Sequence, residues 1–282
     1  MQHLSVDSAI TATNPSLTRL AAWWTIFLVA FFFASYAFAA WITHFRHDVP
    51  SLFFGWEVHI PFLAWTIIPY WSTDLLFVYS PFLFNSREGL TTHCKRLLAV
   101  QGLSVLIFLL FPLRSAFSRP NETGLLGWMF LLRTGADTQF NLAPSLHIGF
   151  AVILWQAYSH HLKGTARWLT RGWIILMSIA TLTTFRHHFI DLPTGLWAGL
   201  FCSAMFPDCG AAVAGAHSPD SSKWFRIGAL YAVGAILFSA AAYRVGNVEW
   251  LILWPASALA FAAYSRWKST NVKKSNFAAA SE

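Results

Sequence analysis

Three short polar clusters interrupt an otherwise apolar sequence, and their residue types suit chemistry on a phosphate group. They are residues 111–120 (FPLRSAFSRP), 144–147 (PSLH) and 186–191 (RHHFID). Arginine binds phosphate oxygens through two parallel hydrogen bonds, while one histidine can attack phosphorus and another can donate a proton to the leaving oxygen. Guanidinium groups, imidazoles and a carboxylate together are typical of phosphoryl transfer.

The third cluster has the spacing of a histidine with an orienting carboxylate. His187 lies four residues before Asp191, so the two side chains meet on a helical turn or across a turn that precedes Pro193. Successive helical positions point about 100° apart, so only one of His187 and His188 should face phosphorus. The spacing favours His187.

The second cluster resembles the start of a helix. Pro144 fits a first helical turn and Ser145 is a common capping residue. Backbone N–H groups and the helix dipole favour an anion at such a terminus. We therefore expect both the hydroxyl and the amide of Ser145 to face the phosphate.

Long apolar segments must position these clusters. Of the 282 residues, 56% are hydrophobic, 17% are aromatic and only 11% are charged, whereas soluble domains carry roughly a quarter charged residues. Apolar segments that can be read as membrane spans lie at about 20–42, 61–84, 97–113, 144–162, 168–187, 192–207, 226–244 and 249–265. The pattern predicts an all-α, polytopic membrane helix bundle.

The segments also predict the organisation of the chain. We expect a six-helix catalytic membrane domain at 20–207 and two accessory C-terminal transmembrane helices within 226–265. The connecting parts would be a cytoplasmic N-terminal segment at 1–19, a loop at 208–225 and a basic cytoplasmic tail at 266–282. Residues 51–60 are too short and mixed to span and should lie at the membrane interface.

Basic residues orient the bundle. With both termini in the cytoplasm, 13 of the 19 lysines and arginines lie inside, in agreement with the positive-inside rule. The other six would lie outside: Arg46, Arg114, Arg119, Arg133, Arg186 and Arg244. Their position suggests an anionic ligand on the outer side, which in a bacterium is the periplasmic face of the inner membrane. No basic stripe with interleaved aromatics indicates nucleic acid.

The three clusters resemble the motifs of the type-2 phosphatidic acid phosphatase superfamily, which comprises integral-membrane lipid phosphatases and phosphotransferases and has an inositolphosphotransferase-like branch. The resemblance covers about residues 97–206. Arg119-Pro120 matches the first motif, residues 144–147 match the second and residues 187–191 match the third. It implies that His187 forms a phosphohistidine, His147 acts as general acid and Asp191 orients His187, while Arg119 and Ser145 bind phosphate.

The chain departs from the family's motifs at several positions. Pro112 stands where the family has lysine, so Arg114 is the nearest cation, and Ala180-Thr181 stands where the family has Ser-Arg. Arg186 or Arg133 would then supply the missing guanidinium group. Leu146 and the tandem histidines, which leave His188 as the alternative nucleophile, are closer to the inositolphosphotransferase-like branch.

The resemblance implies cleavage or transfer of the phosphate-containing headgroup of a lipid, with no metal and no cofactor. The expected partners are the phosphorylated lipid substrate and the surrounding membrane lipids. The alternatives are an inositolphosphotransferase-like headgroup transferase and a non-catalytic transporter that holds an anion or lipid phosphate. A metal site built from His147, His187, His188 and Asp191 is disfavoured because the arginines would repel a cation. The lipid and the oligomeric state stay open.

Overall fold

The structure is a computed structural model that describes residues 15–134 and 140–206, together with scattered residues between 226 and 244. Over these residues the regular secondary structure is helical apart from one isolated β-bridge, which confirms the all-α prediction. The α-helices of the two continuous ranges are α1 (Pro15–His44), α2 (Ile67–Tyr79), α3 (Arg87–Leu110), α4 (Gly124–Thr134), α5 (Leu146–His161), α6 (Gly164–Thr183) and α7 (Asp191–Met205). Short 3₁₀ turns cover Gly55–His59, Ala64–Thr66 and Ser80–Leu83.

Two helices of the described ranges, α1 and α3, are long and apolar enough to cross a membrane by length and composition. Only 17% of the most apolar window of α1 is buried, against 56% of that of α3. Helix α1 therefore presents most of its apolar surface outward, and α3 lies deeper in the bundle.

Helix α5 lies at the centre and packs against α3, α6 and α7, while α1 packs on α3 and α2 packs on α6. Leu97 and Val100 of α3 meet Ile153 and Leu154 of α5 in a fully buried apolar core. Because this core surrounds α5, it fixes where the start of α5, with residues 144–147, must lie.

Glycines bring α5 and α7 close together. A Cβ atom on Gly195 would lie 2.5 Å from the carbonyl oxygen of Ser145, and one on Gly199 would lie 2.8 Å from that of Gly149. Small residues allow helix backbones to approach closely, as in membrane helix pairs. The starts of α5 and α7, which carry the second and third clusters, are therefore adjacent.

Hydrogen bonds define two ends of the bundle. At one end, here called the site end, Arg46 Nη2 donates to the Leu109 carbonyl (2.7 Å), which joins the ends of α1 and α3. At the other, here called the opposite end, Arg96 Nε of α3 donates to the Phe206 carbonyl (2.7 Å), which joins α3 to the residue after α7. The three polar clusters all belong to the site end.

Two predicted segments have different bounds. Helix α3 begins at Arg87 rather than near residue 97, because the Ser86 hydroxyl caps it by accepting the Gly89 N–H (3.1 Å). The predicted segment 61–84 is divided into α2 and two 3₁₀ turns. Pro69 lies in the first turn of α2 and Pro81 in the 3₁₀ turn that follows it, positions where proline is tolerated.

Helix α4 is unexpected, because its 11 residues are too few to span a bilayer. It lies in the connection between the first and second clusters. Phe130 of α4 packs with Ile67 and Tyr70 of α2 and with Ala180 of α6, so α4 covers the site end of these helices.

The described residues between 226 and 244 are helical. Trp197 Nε1 of α7 donates to the Leu230 carbonyl, and Leu237 packs near Ile107 and Trp197. The expected loop at 208–225, the last predicted helix at 249–265, the tail at 266–282 and most of segment 1–19 lie outside the described residues.

Candidate active site

The turn between α6 and α7 carries the third cluster. The N–H of Arg186 donates to the Thr181 carbonyl (3.2 Å) and that of Phe185 to the Leu182 carbonyl (3.0 Å), the paired pattern that closes a helix C-terminus. Phe185 has φ of 53°, where glycine is usual. Its ring packs against Phe62 (5.3 Å between centroids), so side-chain packing holds the unusual backbone in place.

His187 and His188 lie in this turn and not in a helix, so the expectation that successive helical positions separate their side chains is wrong in its premise. The turn itself separates them. His187 Nδ1 lies 3.0 Å from Asp191 Oδ2, while the backbone N–H of His188 donates to the same oxygen (2.9 Å). The four-residue spacing thus brings His187 to Asp191 across a turn.

Asp191 is fully buried and is the first residue of α7. The positive end of the helix dipole stabilises its negative charge there. Because a carboxylate only accepts hydrogen bonds, Nδ1 of His187 is the donor, and in the neutral imidazole the lone pair is then on Nε2. A histidine with a carboxylate behind Nδ1 and a lone pair on Nε2 is arranged as a nucleophile or base.

His147, the second residue of α5, faces this pair. Its ring centroid lies 6.0 Å from that of His187, with the planes inclined by 63°. Tyr70 of α2, which the sequence does not single out, stacks on His147 with centroids 4.0 Å apart. Reacting atoms must approach to roughly 3–3.5 Å, so one phosphoryl group can contact both imidazoles.

Ser145 caps α5, since its hydroxyl accepts the Ile148 N–H (3.5 Å). Its backbone N–H donates to the Asp191 carbonyl (3.1 Å). The amide that we expected to face phosphate is therefore used within the protein, where it joins the start of α5 to the start of α7.

His188 faces a different carboxylate, that of Glu57, which the sequence does not predict as a site residue. His188 Nδ1 lies 3.1 Å from Glu57 Oε2, and His188 Nε2 accepts the backbone N–H of Ala116 (3.0 Å). Both ring nitrogens are thus engaged. The signal that could have identified Glu57 is an acidic residue within the aromatic stretch 51–60.

The predicted arginines lie in different surroundings. Arg186 is buried, with its guanidinium 5.7 Å from the Phe130 ring centroid and Nη2 3.5 Å from the Phe130 carbonyl, so it ties the turn to α4. Arg114 is exposed and Arg119 half-buried, both on the segment whose Ala116 bonds His188. Arg133 belongs to α4, but its side chain lies outside the described part of the chain.

Among the residues that the structure describes, no group of three or more His, Cys, Asp or Glu side chains is arranged to hold a metal ion. In particular, Ala116 and Glu57 occupy both ring nitrogens of His188.

Comparisons with known proteins found no matching family model, curated protein or solved structure. The resemblance to the lipid phosphatases therefore stands on the three motifs.

Proposed function

We propose that this chain is an integral-membrane phosphatase or phosphotransferase that acts on a phosphorylated lipid through a phosphohistidine. The observation that carries the proposal is the pair of His187 and Asp191 facing His147. One histidine has a carboxylate behind it, and the other is near enough for both imidazoles to contact one phosphoryl group.

In the first half of the reaction, His187 Nε2 attacks phosphorus and the bond between phosphorus and the lipid oxygen breaks. His147 donates a proton to that oxygen, and the lipid alcohol leaves. Asp191 accepts the Nδ1–H hydrogen bond and stabilises the positive charge that develops on His187. In the second half, His147 takes a proton from water or an alcohol, which attacks phosphorus and releases His187.

The negative charge on the phosphoryl oxygens needs cationic partners. Arg119 and Arg114 are the proposed ones, because their segment is bonded to the turn that carries His187 and His188. Arg186, whose guanidinium lies against α4, is a weaker candidate. Preorganised guanidinium groups can stabilise this charge without a metal ion.

A lipid substrate suits the surroundings of the site. Phe53, Trp56 and Phe189 beside His188 are 39%, 50% and 40% exposed, and Trp56 packs against Phe189 with centroids 5.0 Å apart. Tryptophan concentrates at membrane interfaces, at the level of the lipid headgroups. The exposed Trp56 beside the site therefore supports a phosphorylated headgroup as the substrate.

We further propose that α1, α2 with its following 3₁₀ turn, α3, α5, α6 and α7 form a six-helix membrane core, with the site end outside. Cysteine labelling of intact cells tests this in variants without native cysteines. Cysteines at Glu122 and Phe189 should react with an impermeant thiol reagent, and one at Thr165 should be protected. The reverse pattern would invert the topology.

The activity is tested with purified protein in detergent, a panel of phosphorylated lipids and a chelator in every assay. We expect phosphate release, or transfer when a lipid alcohol is added, and acid-labile phosphate on the protein. His160→Ala, at the opposite end, is the matched control and should behave like wild type. Activity that needs a divalent metal would contradict the proposed mechanism, and binding without turnover would favour a transporter.

A further inference from the structure

Glu57 is the buried carboxylate at the site end that the proposed reaction does not use. It is 1% exposed, and the interior position of a charged group is costly unless hydrogen bonds compensate it. Oε1 accepts the Phe54 N–H (2.8 Å), Oε2 accepts the Phe189 N–H (3.1 Å), and Oε2 also faces His188 Nδ1. Three donors from two segments therefore converge on it.

The hydrogen bonds define the tautomer of His188. The Ala116 N–H can only donate, so Nε2 of His188 must be its acceptor and carries no proton. The ring proton is then on Nδ1 and is donated to Glu57 Oε2. A nitrogen lone pair bonded to Ala116 does not face phosphorus, so His188 is poorly placed to act as the nucleophile.

Glu57 and His188 thereby connect three segments. One is the 3₁₀ turn Gly55–His59, the second is the turn that carries His187, and the third is the segment 111–120. Phe117 packs on the His188 ring, with centroids 4.8 Å apart, and closes the same contact. Ala116 lies between the two arginines of the first cluster.

We propose that Glu57 is a positioning residue that, through His188, holds the arginine-bearing segment 111–120 against the turn that carries His187. The placement of this segment rests on the observed hydrogen bonds, and its effect on catalysis rests on the proposed function. The carboxylate selects the tautomer of His188 that can accept the Ala116 N–H. If His188 had the other tautomer, the Ala116 hydrogen bond would be lost and the phosphate-binding arginines would no longer be held near the nucleophile.

The Glu57→Gln variant tests directly whether the carboxylate selects the tautomer of His188. An amide has one acceptor oxygen for three donors, and an amide NH₂ facing His188 favours the tautomer with the proton on Nε2, which repels the Ala116 N–H. We expect hydrogen–deuterium exchange at Ala116 to accelerate at least about tenfold, because a buried hydrogen bond is lost. Glu88→Gln, on the exposed first turn of α3, is the matched control.

Kinetics then separate positioning from a merely structural role. In Glu57→Gln, KM and the inhibition constant of inorganic phosphate should both rise about tenfold, whereas kcat should fall less. Adding Glu57→Gln to His188→Ala should change these constants by less than Glu57→Gln does alone, since the part of its effect that passes through His188 is already lost. Glu57→Asp should recover part of the loss if the shorter carboxylate still reaches His188.

Hydrogen–deuterium exchange and kinetics together distinguish the positioning role of Glu57 from the proposed phosphotransfer function. Unchanged exchange at Ala116 in Glu57→Gln would overturn the positioning role, whatever the protein does to phosphate. Fully additive effects of Glu57→Gln and His188→Ala would overturn it as well. Accelerated exchange in a protein with no phosphotransfer would leave the hydrogen-bonded link intact and refute the proposed function instead.

Discussion

His93, near the opposite end of the bundle, and His187, at the site end, are both almost fully buried, but their partners differ in kind. His93 Nε2 lies 2.7 Å from the Ser80 hydroxyl, which itself donates to the Phe77 carbonyl. His187 instead faces the carboxylate of Asp191. A neutral hydroxyl satisfies a buried imidazole, whereas a carboxylate also orients the ring and fixes its tautomer.

Buried arginines at the two ends are more alike. Arg96 donates to the Phe206 carbonyl beyond α7, and Arg186 approaches the Phe130 carbonyl of α4. Both contacts tie separate parts of the bundle together. An arginine beside a motif is therefore not by itself a phosphate ligand; Arg114 and Arg119 are proposed ones because their segment is bonded to the turn that carries His187 and His188.

The largest expected effect is that of His187→Ala. We expect turnover to fall by at least about 10³-fold and phosphoenzyme to disappear, because no other group replaces a missing nucleophile. Trapping of acid-labile phosphate after a rapid quench measures this. If His188→Ala is inactive while His187→Ala keeps turnover and carries phosphate on His188, the assignment of the two histidines is reversed.

His147→Ala should have the next largest effect, with turnover of a lipid substrate reduced about 10²–10⁴-fold by loss of the proton donor. A nitrophenyl phosphate needs little protonation of its leaving group and should be hydrolysed much closer to the wild-type rate. The ratio of the two rates is the measurement. Equal losses on both substrates would mean that His147 serves binding or structure.

The sequence predicts the central pair of the site well and its surroundings poorly. The spacing of His187 and Asp191 is local, so four residues suffice to bring the side chains together. Glu57 is 131 residues from His188, and no local pattern announces a contact over that separation. Phe185 has a left-handed backbone conformation although it is not glycine, the residue that usually indicates such a turn in a sequence. Contacts of its ring stabilise this conformation instead.

Among the helices too, some are predicted by a local sequence pattern and others depend on distant contacts. Spans of about 20 apolar residues predict most of the bundle, whereas α4 is too short for that signal and is stabilised by its contacts with α2 and α6. The close approach of α5 and α7 depends on Gly195 and Gly199, and Gly149 leaves room for Val100 of α3. The packing role of these glycines depends on which helices are neighbours, and the sequence alone does not specify the neighbours.

Gly195→Ala should have an intermediate effect on the site end. The added Cβ would lie 2.5 Å from the Ser145 carbonyl, so the starts of α5 and α7 must move apart. His147 would then move away from His187, and turnover should fall about tenfold to 10²-fold, the range that a shift of roughly 1 Å can cause. Gly102→Ala is the control, since a Cβ there meets nothing within 4 Å. Matching activities for the two variants would show that the helix spacing tolerates this change.

The smallest expected effect on chemistry is that of His93→Leu, at the opposite end. The variant removes the donor to the Ser80 hydroxyl but keeps the bond from that hydroxyl to the Phe77 carbonyl. We expect the free energy of unfolding to fall by about 1–3 kcal/mol, because one buried hydrogen bond is lost. KM and kcat per folded molecule should stay within about twofold of wild type, since His93 pairs with a neutral partner at the end of the bundle opposite the proposed phosphoryl site. Denaturant titration in detergent and kinetics on the same preparation measure the two quantities. Adding Ser80→Ala should lower the free energy of unfolding further, because the Phe77 carbonyl then loses its hydroxyl donor. A loss of kcat that exceeds the loss of folded protein would show that the two ends are coupled and that the difference between His93 and His187 is smaller than their partners indicate.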